Sequence, residues 1–127
     1  MAIFPKKEVG TLHELSITQN ILRTCLSEAD RQGAVKIRTI RLLLGPFSGV
    51  VPECIQTYLD MLAEGTIAEG ARIEAETLPL KVRCRDCERE SEITRASIAC
   101  PFCGSLRLQI LSGNEFLIDR IEVDVHE

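Results

Sequence analysis

The sequence predicts an α+β fold in which two helices lie on one face of a small mixed β-sheet, with a short cysteine-bearing module inserted late in the chain. Three observations predict it: two segments with apolar residues at helical spacing, β-branched and apolar runs interleaved with them, and two Cys-x-x-Cys pairs between the later strands. A chain of 127 residues with 45% hydrophobic content buries one modest core, so the helices have only the sheet to cover their apolar stripes.

Residues 1–11 carry no sustained period and end in Gly10 and Thr11, and a disordered extension is expected there. Thr18, Ile21, Leu22, Cys25, Leu26 and Ala29 then recur at helical spacing, with Ser16 and Gln19 as a capping box and Gly33 as the stop. Val35 to Leu44 reads as a strand whose alternation changes phase near Thr39, the mark of a bulge or of burial on both faces. Gly45, Pro46 and Gly49 punctuate the chain, and Pro52 with Glu53 suits the first turn of a second helix. Its inner face is expected to be Cys54, Ile55, Tyr58, Leu59 and Leu62, stopped at Gly65. Ala71, Ile73 and Ala75 alternate with Arg72, Glu74 and Glu76 in the clearest strand pattern. Leu106, Leu108 and Ile110 alternate again, residues 112–115 form a turn, and Phe116 to Val125 return as a strand. This divides the chain into a helix-sheet domain at 12–80 and 106–127, with a polar module at 81–105 inserted between strands of one sheet.

Inside that module Cys84 pairs with Cys87 and Cys100 with Cys103, separated by twelve residues without a further Cys or His. Two such knuckles close a tetrahedron of thiolates, which favours structural zinc and makes this a four-cysteine zinc-knuckle module. Rubredoxin-type iron uses the same ligands, and a pair of disulfides is the plainest alternative. No signal-peptide pattern is visible and two more cysteines lie in helix-like segments, which argues for a reducing, intracellular setting. Between Cys87 and Ile98 the module has almost no apolar content except Ile93, so metal must supply most of its folding free energy.

A formal charge of −4 is not that of a nucleic-acid binder, and the absence of Trp leaves little material for base stacking. No apolar run is long enough to span a bilayer. Cys25 and Cys54 fall on the expected apolar helix faces and read as small core hydrophobes. No nucleophile, base and orienter assemble, and four thiolates leave no open coordination position, so an enzyme is not expected.

Beyond these patterns the chain carries an ordered set of motifs. Leu12-His13-Glu14-Leu15-Ser16-Ile17 resembles the Met-His-Glu-(hydrophobic)-Ser start of the HypA hydrogenase-maturation proteins. The stretch Gly45 to Val50 with Pro52-Glu53, Gly65-Thr66 with Ala68-Glu69-Gly70-Ala71, both cysteine pairs, and Gly113-Asn114-Glu115 are similar to that family in the same order. The resemblance covers about residues 12 to 125. It implies a nickel metallochaperone of the cytoplasm, carrying Ni(II) as cargo to the [NiFe]-hydrogenase large subunit with the GTPase HypB as working partner, and in some bacteria serving urease. It also implies the fold above, a structural Zn(II) at the four cysteines, and nickel bound to the helix-sheet domain through His13.

Nickel chemistry fits His13, since Ni(II) accepts imidazole and favours tetragonal nitrogen and oxygen donors that neighbouring backbone nitrogens supply. By itself His13 reads as a solvated residue near a helix start. Glu14 is the weaker candidate, because a carboxylate at a helix N-terminus is favoured by the dipole with or without metal. The family's His is its second residue, so translation is expected to start at position 12, where Leu12 stands in place of Met. His126 reads as a solvated tail residue, Glu88, Glu90 and Glu92 as module surface, and Glu69 with Gly70 as a turn. The competing function is a zinc-ribbon interaction module in a nucleic-acid assembly, for which Lys81, Arg83, Arg85, Arg89 and Arg95 are the available cations. They alternate with acids and lack interleaved aromatics.

Overall fold

A computed structural model describes residues 4–6, 14–94 and 97–126. Its first helix, α1 (Glu14–Arg31), buries Ile17, Thr18, Ile21, Cys25, Glu28 and Ala29, with Leu22 and Leu26 partly covered. The stripe is the one the spacing predicts, but the helix begins before Ser16. Ser16 therefore lies exposed inside the first turn and not at the N-cap the capping box requires, and within the helix Thr18 Oγ1 donates back to the Glu14 carbonyl at 2.6 Å.

Strand β2 (Ala34–Leu44) follows α1 through a tight turn and becomes an inner strand of a four-stranded sheet. Its register against β7 (Phe116–Val125) shifts between Ile37 and Thr39, which moves the buried positions from Ile37 to Ile40, Leu42 and Leu44. The change of phase in the sequence is thus a bulge. β2 also pairs in parallel with β3 (Arg72–Thr77) across the crossover helix α2 (Pro52–Leu62), giving the sheet order β1-β7-β2-β3.

Strand β1 (Phe4–Lys6) pairs antiparallel with Phe116 to Ile118 at the opposite edge. Part of the 1–11 extension is therefore a paired edge strand. The segment is too short to show a period in sequence, and its partner lies at the far end of the chain.

Helix α2 starts with Pro52 in its first turn, where a missing N–H costs nothing, and Val51 supplies no side-chain cap. It buries Ile55 and Leu59, while Tyr58 and Leu62 are half-buried. Cys54, expected on this inner face, is exposed. One residue turns the helix by about 100°, which carries Cys54 off the narrow Ile55–Leu59 stripe.

At the β3 edge the expected alternation fades: Ala71 is buried and Ile73 half-buried, but Ala75 is exposed because the helices no longer cover it. Gln56 reaches from α2 to close this edge locally. Its Nε2 donates to the Ala71 carbonyl at 3.0 Å and its Oε1 accepts the Ile73 N–H at 2.7 Å. The core between helices and sheet joins Ile21, Cys25, Ile40, Leu42, Leu59 and Phe116.

The chain leaves this sheet after β3 and builds a second one from β4 (Leu80–Cys84), β5 (Glu90–Ile93) and β6 (Leu108–Ser112), in the order β5-β4-β6. The sequence pattern assigns β6 to the helix-sheet domain, but it pairs with β4, so the cysteine module has its own sheet from Leu80 to Ser112. The alternation read from Leu106, Leu108 and Ile110 is not matched by burial there: Leu108 is half-buried, while Leu106 and Ile110 are exposed, because this small sheet has no helix layer over it.

Candidate metal centre

Each Cys-x-x-Cys pair forms a tight knuckle, and the two knuckles share one hydrogen-bond pattern. The Glu88 N–H donates to the Cys84 carbonyl at 2.9 Å, as Gly104 does to Cys100 at 2.8 Å. Cys84 N–H reaches the Arg89 carbonyl, and Cys100 N–H that of Ser105, both at 2.9 Å. The residue after the second cysteine must turn left-handed in each case. Gly104 (φ 79°) does so freely, whereas Glu88 (φ 64°) is the sole non-glycine residue with positive φ among the described residues. Glycine directly after the second pair suits such a knuckle, because it adopts positive φ without strain. Glu88, read from sequence as module surface, holds the equivalent place at a conformational cost.

The knuckles bring the Sγ atoms of Cys84, Cys87, Cys100 and Cys103 all within 4.8 Å of one another. Cys84 Sγ lies 3.6 Å from Cys103 Sγ, and Cys87 Sγ lies 3.7 Å from Cys100 Sγ. A zinc tetrahedron with Zn–S bonds of about 2.3 Å has S···S edges of about 3.8 Å, so the sulfurs already stand where such an ion would hold them. All six cysteines are free thiols, which removes the disulfide alternative for this structure. The donor set fits zinc, and its hydrogen bonds suit thiolates: Cys87 N–H points to Cys84 Sγ at 3.5 Å and Phe102 N–H to Cys100 Sγ at 3.4 Å.

These amides set the proton affinities. The backbone N–H of Cys87, helped by that of Asp86, pulls the Cys84 thiol down to about 6. At Cys103 the Ser105 amide pulls the same way, but the neighbouring thiols and burial outweigh it and push the group up to about 12. Four sulfurs this close cannot all carry charge alone, and a divalent cation in their midst replaces the retained protons.

Contacts outside the sulfurs lock one knuckle to the other. The Arg89 guanidinium stacks 4.8 Å from the Phe102 ring centroid, and Asp86 accepts from Arg107 Nη1 at 2.6 Å and from the Ser105 hydroxyl. None of these partners stands out for this role in sequence, because each contact spans the loop between the cysteine pairs.

The other candidates are scattered. His13 and Arg95 lie outside the described residues. Glu14 is the first residue of α1 and half-buried, and His126 is exposed beyond β7. Cys25 is fully buried in the core as expected, and burial pushes its thiol up to about 12.

Comparison with known proteins agrees with this architecture. A family model described as hydrogenase/urease nickel incorporation, metallochaperone, HypA matches residues 12–123. The hydrogenase maturation factor HypA of Dehalococcoides mccartyi is 37% identical over 113 residues, covering 89% of this chain and 95% of that protein. The factor of the same name from Moorella thermoacetica is 38% identical over 111 residues, covering 87% and 98%. In fold, the chain is similar to the solution structure of the nickel metallochaperone HypA from Helicobacter pylori, with a TM-score of 0.61, 20% identity and coverage of 91% of this chain and all of that one. With its two helices, its sheets and its four-cysteine cluster all accounted for, the chain belongs to the HypA family of nickel metallochaperones that serve hydrogenase maturation.

Proposed function

We propose that this chain binds Ni(II) through His13, with Glu14 beside it, and releases it for assembly of the [NiFe]-hydrogenase large subunit, while Cys84, Cys87, Cys100 and Cys103 hold a permanent structural zinc. The single observation that carries this reading is the closed four-thiolate cluster within a chain that matches the family from residue 12 onward. A tetrathiolate site offers no exchangeable position for cargo, so transferable nickel belongs at a separate nitrogen and oxygen site. HypB is the proposed partner, docking near α1 and β2, and urease is a second proposed destination. Among the described residues no helix is long and apolar enough to cross a membrane, and four free thiols suit a reducing compartment, so we place the work in the cytoplasm.

Titrating Ni(II) into the zinc-loaded protein and its His13→Ala variant, with metal content measured in both, tests the reading. The parent takes up about one equivalent of nickel while keeping about one of zinc, and the variant keeps zinc but loses specific nickel binding. Equal nickel binding by the variant would move the site elsewhere. Acidification separates the metals: neutral imidazole is required for nickel, and its reference pKa of about 6.5 predicts nickel loss towards about pH 5.5.

A further inference from the structure

One edge of the cysteine module gathers three arginines, of which Arg83 and Arg107 each have one acidic partner and Arg85 has no ion pair among the described residues. Arg83 lies in β4 and Arg85 in the turn just after it, and the Arg85 N–H donates to the Arg107 carbonyl at 2.8 Å, which sets those two arginines side by side on neighbouring segments. Like charges in that relation destabilise a sheet unless something lies between them. With Cys84, Glu88 and Gln109 they line an open groove of about 320 Å³.

Intramolecular partners use little of this charge. Arg107 commits Nη1 to Asp86 at 2.6 Å. Arg83 forms a loose, exposed ion pair at 3.7 Å with Glu90, its cross-strand neighbour on β5, without a hydrogen bond. Arg85 has no ion pair among the described residues. Each guanidinium carries five N–H donors, so most of them face the groove or water. The sulfurs do not claim them either: among the described residues no guanidinium donates to a cysteine, and Cys84 and Cys100 take backbone amides instead.

We propose that this groove docks an extended, carboxylate-bearing segment of a partner protein, with Arg85 and Arg83 each receiving one carboxylate. Arg83 is the penultimate residue of β4 and Arg85 opens the turn that follows it, with both lining the groove, so neighbouring carboxylates on one short segment can each meet a guanidinium. A nucleic acid fits worse. The nearby Phe102 ring, the aromatic that could stack a base, is already covered by Arg89. This interface is separate from the nickel site and from the proposed HypB surface.

Fluorescence anisotropy of fluorescein-labelled tetraglutamate with the full-length, zinc-loaded protein tests it, using tetraglutamine and a short oligothymidylate as competing probes. Tetraglutamate binds, tetraglutamine does not, and added salt weakens the complex. Arg85→Gln weakens binding about fivefold, the size of one exposed ion pair, and the Arg83→Gln/Arg85→Gln pair abolishes it with zinc content unchanged. Should Arg85→Gln disturb zinc, Arg83→Gln alone carries the same comparison. Arg120→Gln on β7 and His13→Ala leave tetraglutamate binding intact, which keeps this result apart from that of the nickel titration. Equal binding by the double variant, or tighter binding of oligothymidylate than of tetraglutamate, overturns the proposal.

Discussion

Gly45 and Gly113 meet at the junction of the two sheets so closely that a Cβ on Gly45 would overlap the Gly113 carbonyl and the Glu115 carboxylate. The Gly45 N–H donates to the Glu115 carbonyl at 2.8 Å, the Phe47 N–H to that of Gly113 at 2.5 Å, and the Leu78 N–H to that of Leu44 at 2.7 Å. Both connections to the zinc module are thereby fastened to the end of β2.

Gly45→Ala is accordingly expected to destabilise the protein by about 2 kcal/mol, because the colliding atoms include backbone and cannot swing aside. Gly49→Ala, which meets nothing within 4 Å but has φ 75°, is expected to cost about 1 kcal/mol from backbone strain alone. Guanidinium unfolding of both variants checks the order. A smaller effect at Gly45 would mean the junction yields.

Removing zinc with a strong chelator should disorder residues 80–112 while the helix-sheet domain keeps its fold. The module buries little beyond Val82, Ile93, Cys84 and Cys100, whereas the large core lies between the helices and the other sheet. Cys84→Ala and Cys100→Ala should act like the chelator, and Cys25→Ala should retain zinc. Backbone amide spectra with metal analysis report both outcomes.

Alkylation should distinguish the two cysteines outside the cluster. Cys54 is exposed, while Cys25 is fully buried with its thiol pushed up to about 12, so little thiolate forms at pH 8. Iodoacetamide treatment of zinc-loaded protein, followed by peptide mass mapping, should label Cys54 and spare Cys25. Rapid labelling of Cys25 would show that α1 opens readily.

Stability should fall in acid partly through Glu28 near the end of α1. A hydrogen bond from Gln32, with Arg31 adding its charge, outweighs burial and lowers its carboxyl below the ordinary 4.5. A depressed folded value means the contribution is present above about pH 4.5 and is lost as pH falls through the lower folded value. Glu28→Gln should therefore lose stability at pH 6 but narrow the gap between pH 6 and pH 3 in thermal melts. An unchanged gap would remove Glu28 from the acid response.

The four-cysteine cluster was legible because its information is local. Two residues between cysteines, with Pro101 and Gly104 around the second pair, already dictate a knuckle, and the four sulfurs then meet as the spacing requires. The Pro52 helix start and the bulge after Ile37 were also legible, since each leaves a mark within a few residues. By itself the sequence determined two helices, the strands that alternate with and follow them, and the meeting of the four cysteines. Only the tertiary structure decided that β6 joins the sheet of the cysteine module, that Cys54 turns outward, that Gln56 closes the β3 edge, that Glu88 takes a left-handed turn, and that Arg85 and Arg107 stand together. Each of those outcomes depends on a partner distant in the chain or on how far the core reaches, and neither quantity is carried by local periodicity.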